Sequence, residues 1–396
     1  MKLKKSCRIW KSIVTHKILI KLVQGRKTLS LILSIGLLLI MNSCRNATIG
    51  DPIQPEQDEY WDVFRIKNQS NIILNFDVVE DFLFIVTNEA IIKFDEFTLN
   101  SNLSTSSISV NDLSIKPLIS KNLTIWLDKE NNSINLSKNT ELGITNIKPK
   151  IFGKQFEDYN FVQFQHSNDF GLFIDNNRVI ALITKKDESI GFGGEMNYLV
   201  YFNAQQNGAG KIEISNIGYW DLPSMQNIYI TPFKMIYFDN VIYFSFKDAN
   251  SGDHWYISIT DNGVINEHFL EPFCGSAIIH FFEYQGNLFA NLSDWKLIST
   301  LDGNDWLSRG EMSPLYNDYK EIDDYLFFYY KSEIYCWIID SNSMRIYKLP
   351  VSNMKGNTIT SINKFKDYLV VATHNGIFYK KINEVIEDRL LLYEFN

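Results

Sequence analysis

The side chains able to do chemistry are few, and they are scattered. Beyond residue 43 the chain carries six arginines (Arg45, Arg65, Arg178, Arg309, Arg345, Arg389) and five histidines (His166, His254, His268, His280, His374). The histidines lack ligand spacing with one another or with cysteine, so neither a metal nor any other cofactor is expected. There is no Gly-x-Ser-x-Gly nucleophile turn. The stretch "GFGGE", Gly191 to Glu195, lacks the Lys-Ser/Thr of a phosphate loop and reads as a hairpin tip. Asp323 and Asp324 are adjacent carboxylates, which suggests an acid/base pair. Neighbouring residues on a strand point to opposite faces, however, and related stretches elsewhere in the chain have turn residues there. A turn is therefore expected, and no catalytic residue is assigned.

Cysteine is informative through its position. The first 43 residues hold nine basic side chains and no acidic one, and Leu29 to Met41 is an almost wholly apolar run of thirteen. That run suits the h-region of an export signal and falls short of the ~20 residues needed to span a bilayer. It ends in Met41-Asn42-Ser43-Cys44. This resembles the lipobox of bacterial lipoproteins, with Met41 where Leu is usual. The resemblance implies cleavage before Cys44, acyl chains on its thiol and new amino group, and a place in the bacterial envelope, the outer membrane rather than the inner. An ordinary signal peptide cut nearby and an uncleaved anchor are the alternatives. Several acyl chains at ~0.8 kcal/mol per buried methylene hold a protein at a membrane without a spanning helix.

Removing residues 1–43 takes the balance from 38 basic and 46 acidic residues to 29 and 46, a net charge of −17. So acidic a chain is a poor candidate for binding nucleic acid or an anionic lipid surface through its own charge, and nucleic acid is set aside. Of the other cysteines, Cys7 leaves with the signal. Cys274 and Cys336 could form one disulfide, although Cys336 lies in the apolar run "SEIYCWII" and a buried thiol is at least as plausible.

Residues 44–60 are polar and contain two prolines, which suits a flexible tether; the folded body is expected over 61–396. Its apolar runs, "FLFIVT", "LTIWL", "GLFID", "VIYFSF", "YLFFYY" and "YLVVAT", are short, β-branched or aromatic, and bounded by turn residues. Only "KINEVIEDRLLLYEF" could hold a helical turn or two. Strand starts after polar turns recur at Leu83, Leu123, Leu172, Ile242, Leu288, Leu326 and Leu369. A repeat of roughly 40–50 residues with several strands per unit is the signature of a β-propeller. An all-β fold of seven blades is expected, within a range of six to eight, over a β-sandwich. The wide interval from Leu172 to Ile242 leaves open long outer strands with an insertion, or a disguised eighth blade.

Two stretches share a pattern: "DANSGDHW", with Asp248, Asn250, Gly252 and Trp255, and "STLDGNDW", with Ser299, Asp302, Gly303 and Trp306. They resemble the Asp-box of sialidase-like propellers, which implies structural turns whose side-chain oxygens satisfy loop N–H groups while Trp packs on a strand. "VFRIKN", from Val63, starts like the Phe/Tyr-Arg-Ile-Pro of that family, but Lys67 replaces the proline. Such enzymes need three arginines to clamp a carboxylate, and three cannot be placed at matching positions here. The expectation is a lipid-anchored, monomeric binding or scaffold module for an envelope protein or glycan. The alternative is a carbohydrate-active enzyme of sialidase-like or lyase-like propeller type.

Overall fold

The structure, a computed structural model, describes residues 61–64, 72–94, 106–109, 116–138, 144–164, 169–175, 177–186, 194–222, 230–248, 251–269, 276–303, 305–311, 319–339 and 344–395. Cys44, Arg45, Arg65, His166, Asn250 and Cys274 lie outside them, as do the signal segment and the tether.

About two thirds of the described residues belong to one of seven antiparallel sheets, each built on a meander of consecutive strands. Blade 1 runs Ile73–Val79, Phe82–Thr87, Ala90–Phe94 and Ser106–Ser109; blade 2, Leu118–Ile119, Leu123–Asp128, Ser133–Lys138 and Ile144–Ile147. Blade 3 is built on the long strands Arg178–Lys186, Glu195–Gln206 and Ile212–Asp221. Its first strand is split into Asn160–Phe161 and Gly171–Ile174, which pair with opposite ends of Arg178–Lys186. Blade 4 has Ile230–Phe238, Val241–Asp248, His254–Thr260 and Ile265–Phe269; blade 5, Ile278–Tyr284, Asn287–Leu292, Lys296–Thr300 and Leu307–Glu311. Blade 6 has Tyr319–Ile322, Tyr325–Tyr330, Glu333–Ile339 and Met344–Lys348; blade 7, Ile359–Phe365, Tyr368–Thr373 and Gly376–Lys381.

The apolar runs are continuous because each blade is buried on both faces. Phe327 packs toward blade 7, whereas Leu326 and Phe328 pack toward blade 5. Likewise Leu369 and Val371 face blade 6, while Val370 and Ala372 face blade 1. A strand sends alternate side chains to alternate faces, so a central strand between two neighbours has no place for polar alternation. Clusters of this kind join each consecutive pair of blades and also blade 7 to blade 1, closing the ring.

The two ends of the chain meet at blades 6 and 7. Asp62–Phe64 is the fourth strand of blade 7, pairing Asp62 with Tyr379 and Phe64 with Ile377. Trp61 before it is buried; its indole N–H donates to the Pro350 carbonyl at 2.9 Å, and Asn353 bonds its backbone on both sides. After blade 7 a short helix, Ile382–Glu387, packs Val385 and Ile386 into the cluster that holds Trp61. The chain then returns to blade 6, where Leu390–Phe395 adds a fifth, outermost strand beside Met344–Lys348. Among the described residues no helix is long and apolar enough to cross a membrane.

Two sequence expectations need correction. Among the described residues the interval after Leu172 holds no eighth blade: "EMNYLVYFNAQQ" and "IEISNIGYWD" are the long third and fourth strands of blade 3, in keeping with the reading of long outer strands. Leu172 itself lies on the first strand of that blade, and the turn into the second strand comes at Asp175 and Asn177 instead. The polar residues before Gly171 imitate the repeat's turn because blade 3 breaks its first strand there. Of the "GFGGE" stretch only Gly194 and Glu195 are among the described residues, and Glu195 stands opposite Lys186 of the preceding strand.

Candidate functional site

The first strand of each blade is its innermost, and these strands follow one another around the axis of the ring. Four of them share a local defect: the register with the second strand slips by one residue at Ile73/Asn75, Pro232/Lys234, Ile278/His280 and Ile359/Ser361. The extra residue is a β-bulge, a device that re-aims the side chain after it. That side chain is polar each time: Asn75, Lys234, His280 and Ser361. Each stands five positions before a left-handed turn residue, Glu80, Asp239, Gln285 or Lys366, whose φ lies between 47° and 54°. Sequence reading found the turns but missed the bulges, because one polar residue near a strand start is an ordinary sight until the register is known.

Most of the polar groups on this inner ring are engaged between blades. Asn363 donates its amide to Asp77 at 3.3 Å, and the Ser361 hydroxyl donates to the Phe76 carbonyl at 3.2 Å, joining blades 7 and 1. Lys234 pairs with Asp169 at 2.8 Å across blades 4 and 3, with both side chains largely buried. Asn291 donates to the Tyr319 hydroxyl at 2.8 Å, and the His280 ring meets that tyrosine edge-on, joining blades 5 and 6. Tyr329 donates to the Thr360 carbonyl at 2.7 Å. Two buried inner-strand atoms near the junction of blades 7 and 1, the Asn75 amide nitrogen and the Thr360 hydroxyl, have no hydrogen-bond partner. A buried polar group without a partner costs ~1–3 kcal/mol, so this is spare bonding capacity.

The candidate catalytic types lie elsewhere. Arg178 opens the second strand of blade 3 and pairs with Asp261 at 3.1 Å; Arg309 and Arg345 are on fourth strands, and Arg389 precedes the outermost strand of blade 6. Among the described residues no arginine stands on an innermost strand, and no three His, Cys, Asp or Glu side chains gather as metal ligands. Asp323 is a left-handed turn residue held by Lys364, and the Asp324 carbonyl accepts from Tyr284. Burial lowers the basicity of His254 and His268; His268 stacks on Tyr256 and bonds Ser258 at 2.9 Å. Cys336 is a free thiol at the centre of blade 6, where desolvation pushes its pKa up to about 12.

The two Asp-box-like stretches occupy different places in their blades. Asp248 to Trp255 joins the second and third strands of blade 4: Gly252 has φ +75° and donates its N–H to the Asp248 carbonyl, and Trp255 packs toward blade 3. Ser299 to Trp306 joins the third and fourth strands of blade 5. There Asp302 accepts from the Asp305 N–H at 3.2 Å and the Thr300 hydroxyl at 2.9 Å, and Arg309 donates to Ser299 at 2.7 Å. This second turn clips onto blade 4. Trp306 donates its indole N–H to the Tyr256 hydroxyl at 3.0 Å, which in turn donates to the Gly303 carbonyl at 3.0 Å.

No family model matches the chain, and no curated protein matches it. Solved structures of similar shape exist at low identity. PorZ, described as a bacterial surface component of the type-IX secretion system of Porphyromonas gingivalis, is 10% identical; the match covers 84% of this chain and 39% of that one, with a TM-score of 0.49. BamB from Moraxella catarrhalis is 9% identical over 78% of this chain and 84% of its own, with a TM-score of 0.43. The extracellular domain of BT4673, a putative one-component system from B. thetaiotaomicron, is 12% identical over 81% and 39%, with a TM-score of 0.45. The chain thus spans about two fifths of the length of PorZ and of BT4673. At such identities none of these bears on ligand or partner.

Proposed function

We propose that this chain is a lipid-anchored propeller of the bacterial cell envelope, held through Cys44 at the outer rather than the inner membrane, and that it serves as a non-enzymatic binding or scaffold module. The observation that carries the binding role is the inner ring. Its polar side chains bond blade to blade and hold a rigid frame, while the Asn75 amide and the Thr360 hydroxyl keep unused, uncharged hydrogen-bonding capacity. Both atoms have under 1 Å² open to solvent, so a glycan hydroxyl or an envelope-protein backbone would reach them only if the inner strands part slightly. Among the described residues Arg309, Arg345 and Arg389 lie on or beside outer strands and Arg178 opens a second strand paired with Asp261, so none stands on an innermost strand.

Two measurements test the reading. Metabolic labelling with a clickable fatty acid should mark the wild type and not Cys44→Ala; equal labelling of both ends the anchor. Glycan-array and cross-linked envelope-protein binding should weaken for Asn75→Leu and Thr360→Val with the melting temperature held. Unchanged binding in both variants removes the inner ring from the function, and hydrolysis or elimination on glycoside substrates would overturn the non-enzymatic role.

A further inference from the structure

The longest run of consecutive exposed apolar residues among those described lies on the outermost strand of blade 6. Leu390, Leu391, Leu392 and Tyr393 are 64%, 53%, 42% and 59% exposed in succession. Other exposed apolar side chains, such as Val264, Trp295 and Leu301, stand apart from one another in the chain. Among the described residues no strand pairs with its outer side, and apolar edges of this kind are unusual on a water-exposed surface, where edges are short, charged or covered.

Its position supplies the reason. Leu391 pairs with Tyr347 and Leu390 with Lys348. Tyr347 belongs to the same buried cluster as Trp61, together with Leu349 and Ile386. Trp61 is where the chain enters the fold, at the rim rather than on a channel face, because Asp62–Phe64 is the outermost strand of blade 7. Only residues 45–60 separate Trp61 from Cys44, a span of at most about 55–60 Å when fully extended. The apolar strip and the tether's point of attachment therefore share one sector of the rim.

We infer that Leu390–Tyr393 is a membrane-contact strip that seats the rim of blades 6 and 7 on the bilayer surface. The inference rests on the lipid-anchor reading above, since the anchor keeps a bilayer at high local concentration next to this rim. Three leucines and a tyrosine suit the boundary between acyl chains and headgroups, where backbone groups at the strand edge still reach water. A second copy of the chain would also cover the edge. Its approach is opposed by a net charge of −17 on each body, 29 basic against 46 acidic residues beyond position 43.

The test uses the full acylated chain with Cys274→Ser and a single reporter cysteine, Leu390→Cys, labelled with an environment-sensitive fluorophore. Cys336 is buried and stays unlabelled in the native protein. The protein is reconstituted in uncharged phosphatidylethanolamine–phosphatidylcholine vesicles, so that its net charge of −17 does not oppose contact, with and without doxyl-labelled lipid. The reporter at 390 is expected to lose about half its emission to the doxyl lipid, as a group at the acyl boundary should. A reporter at Val264→Cys on blade 4 should be unaffected. Vesicles that float with the protein while the reporter at 390 behaves like that at 264 overturn the strip alone. Protein that takes no fatty-acid label and does not float overturns the anchor, and the strip with it. A blue-shifted reporter in lipid-free protein with a dimer mass by light scattering assigns the strip to a second copy and also overturns the proposal.

Discussion

Replacing Gly303 with alanine should destabilise the propeller by about 2–5 kcal/mol, and the structure gives two separable reasons. Gly303 has φ +79°, a left-handed conformation that costs a residue with a side chain ~1–2 kcal/mol. A Cβ there would also lie 2.0 Å from the Tyr243 hydroxyl oxygen and 2.6 Å from its Cζ. Tyr243 cannot swing away: it is 3% exposed, held between blades 4 and 5 with Phe281, and its hydroxyl is buried enough to raise its pKa to about 12. Forcing an extra methyl into such a site costs ~1–3 kcal/mol. The assay is urea unfolding followed by tryptophan fluorescence, run on Gly303→Ala in the wild-type background and in Tyr243→Leu. The leucine background removes the clash and keeps the backbone cost, so the alanine increment should fall to ~1–2 kcal/mol. An increment under 1 kcal/mol in the wild type, or an equal increment in both backgrounds, would refute the account.

Trp61→Ala should cost ~3–5 kcal/mol, because a buried indole, its bond to Pro350 and the seal over the closing strand go together; calorimetry or urea unfolding reads it directly. Cys336 should resist a disulfide-exchange reagent at pH 8 in the native protein and react fully once unfolded, since burial holds the thiol protonated. Rapid native labelling would show that blade 6 opens. Burial raises the pKa of Glu195 above its ordinary 4.5, only partly offset by the Thr184 hydroxyl and by Lys186. The native state then holds that proton longer than the unfolded one, so this contribution is present below pH 4.5 and is lost as pH rises through the folded value. Glu195→Gln should flatten the decline and be the more stable protein at neutral pH. Glu333 has the opposite sign: the ammonium of Lys348, then the Tyr335 hydroxyl, lowers its pKa. Its contribution is present above pH 4.5 and is lost on acidification, and Glu333→Gln should remove that acid-side slope.

The blades were legible because a central propeller strand leaves a strong mark in the sequence. "YLFFYY" and "YLVVAT" are apolar at both parities since both faces are buried, and the turn before each must go left-handed, as Asp323 and Lys366 do at φ 54° and 53°. Blade 3 was misjudged because its first strand breaks after Phe161 and resumes at Gly171, so polar residues stand where no blade turn exists. The inner ring was invisible for another reason. Asn75, Lys234, His280 and Ser361 share no residue type, and their equivalence lies in a register slip that only hydrogen-bond pairing reveals. The return of Leu390–Phe395 to blade 6 was hidden too, since "LLLYEF" after a helix reads as a continuation of that helix.

The closure has a mechanical consequence. Asp62–Phe64 offers only three residue pairs to blade 7, too few to resist much by themselves. A pull on the chain ahead of residue 61 meets Trp61 first, and Trp61 is bonded to Pro350 and Asn353, between blades 6 and 7, rather than to the strand it precedes. Load is thus passed to the cluster where the chain's two ends are packed together. Asn353→Ala removes the bonds to both backbone groups of Trp61 and leaves the indole in place. Under force applied through the N-terminus it should let the ring open at a markedly lower load, while the same variant pulled through residues on blade 4 should rupture as the wild type does. Equal rupture forces in the first geometry would show that the three-residue strand, not the tryptophan, is the latch.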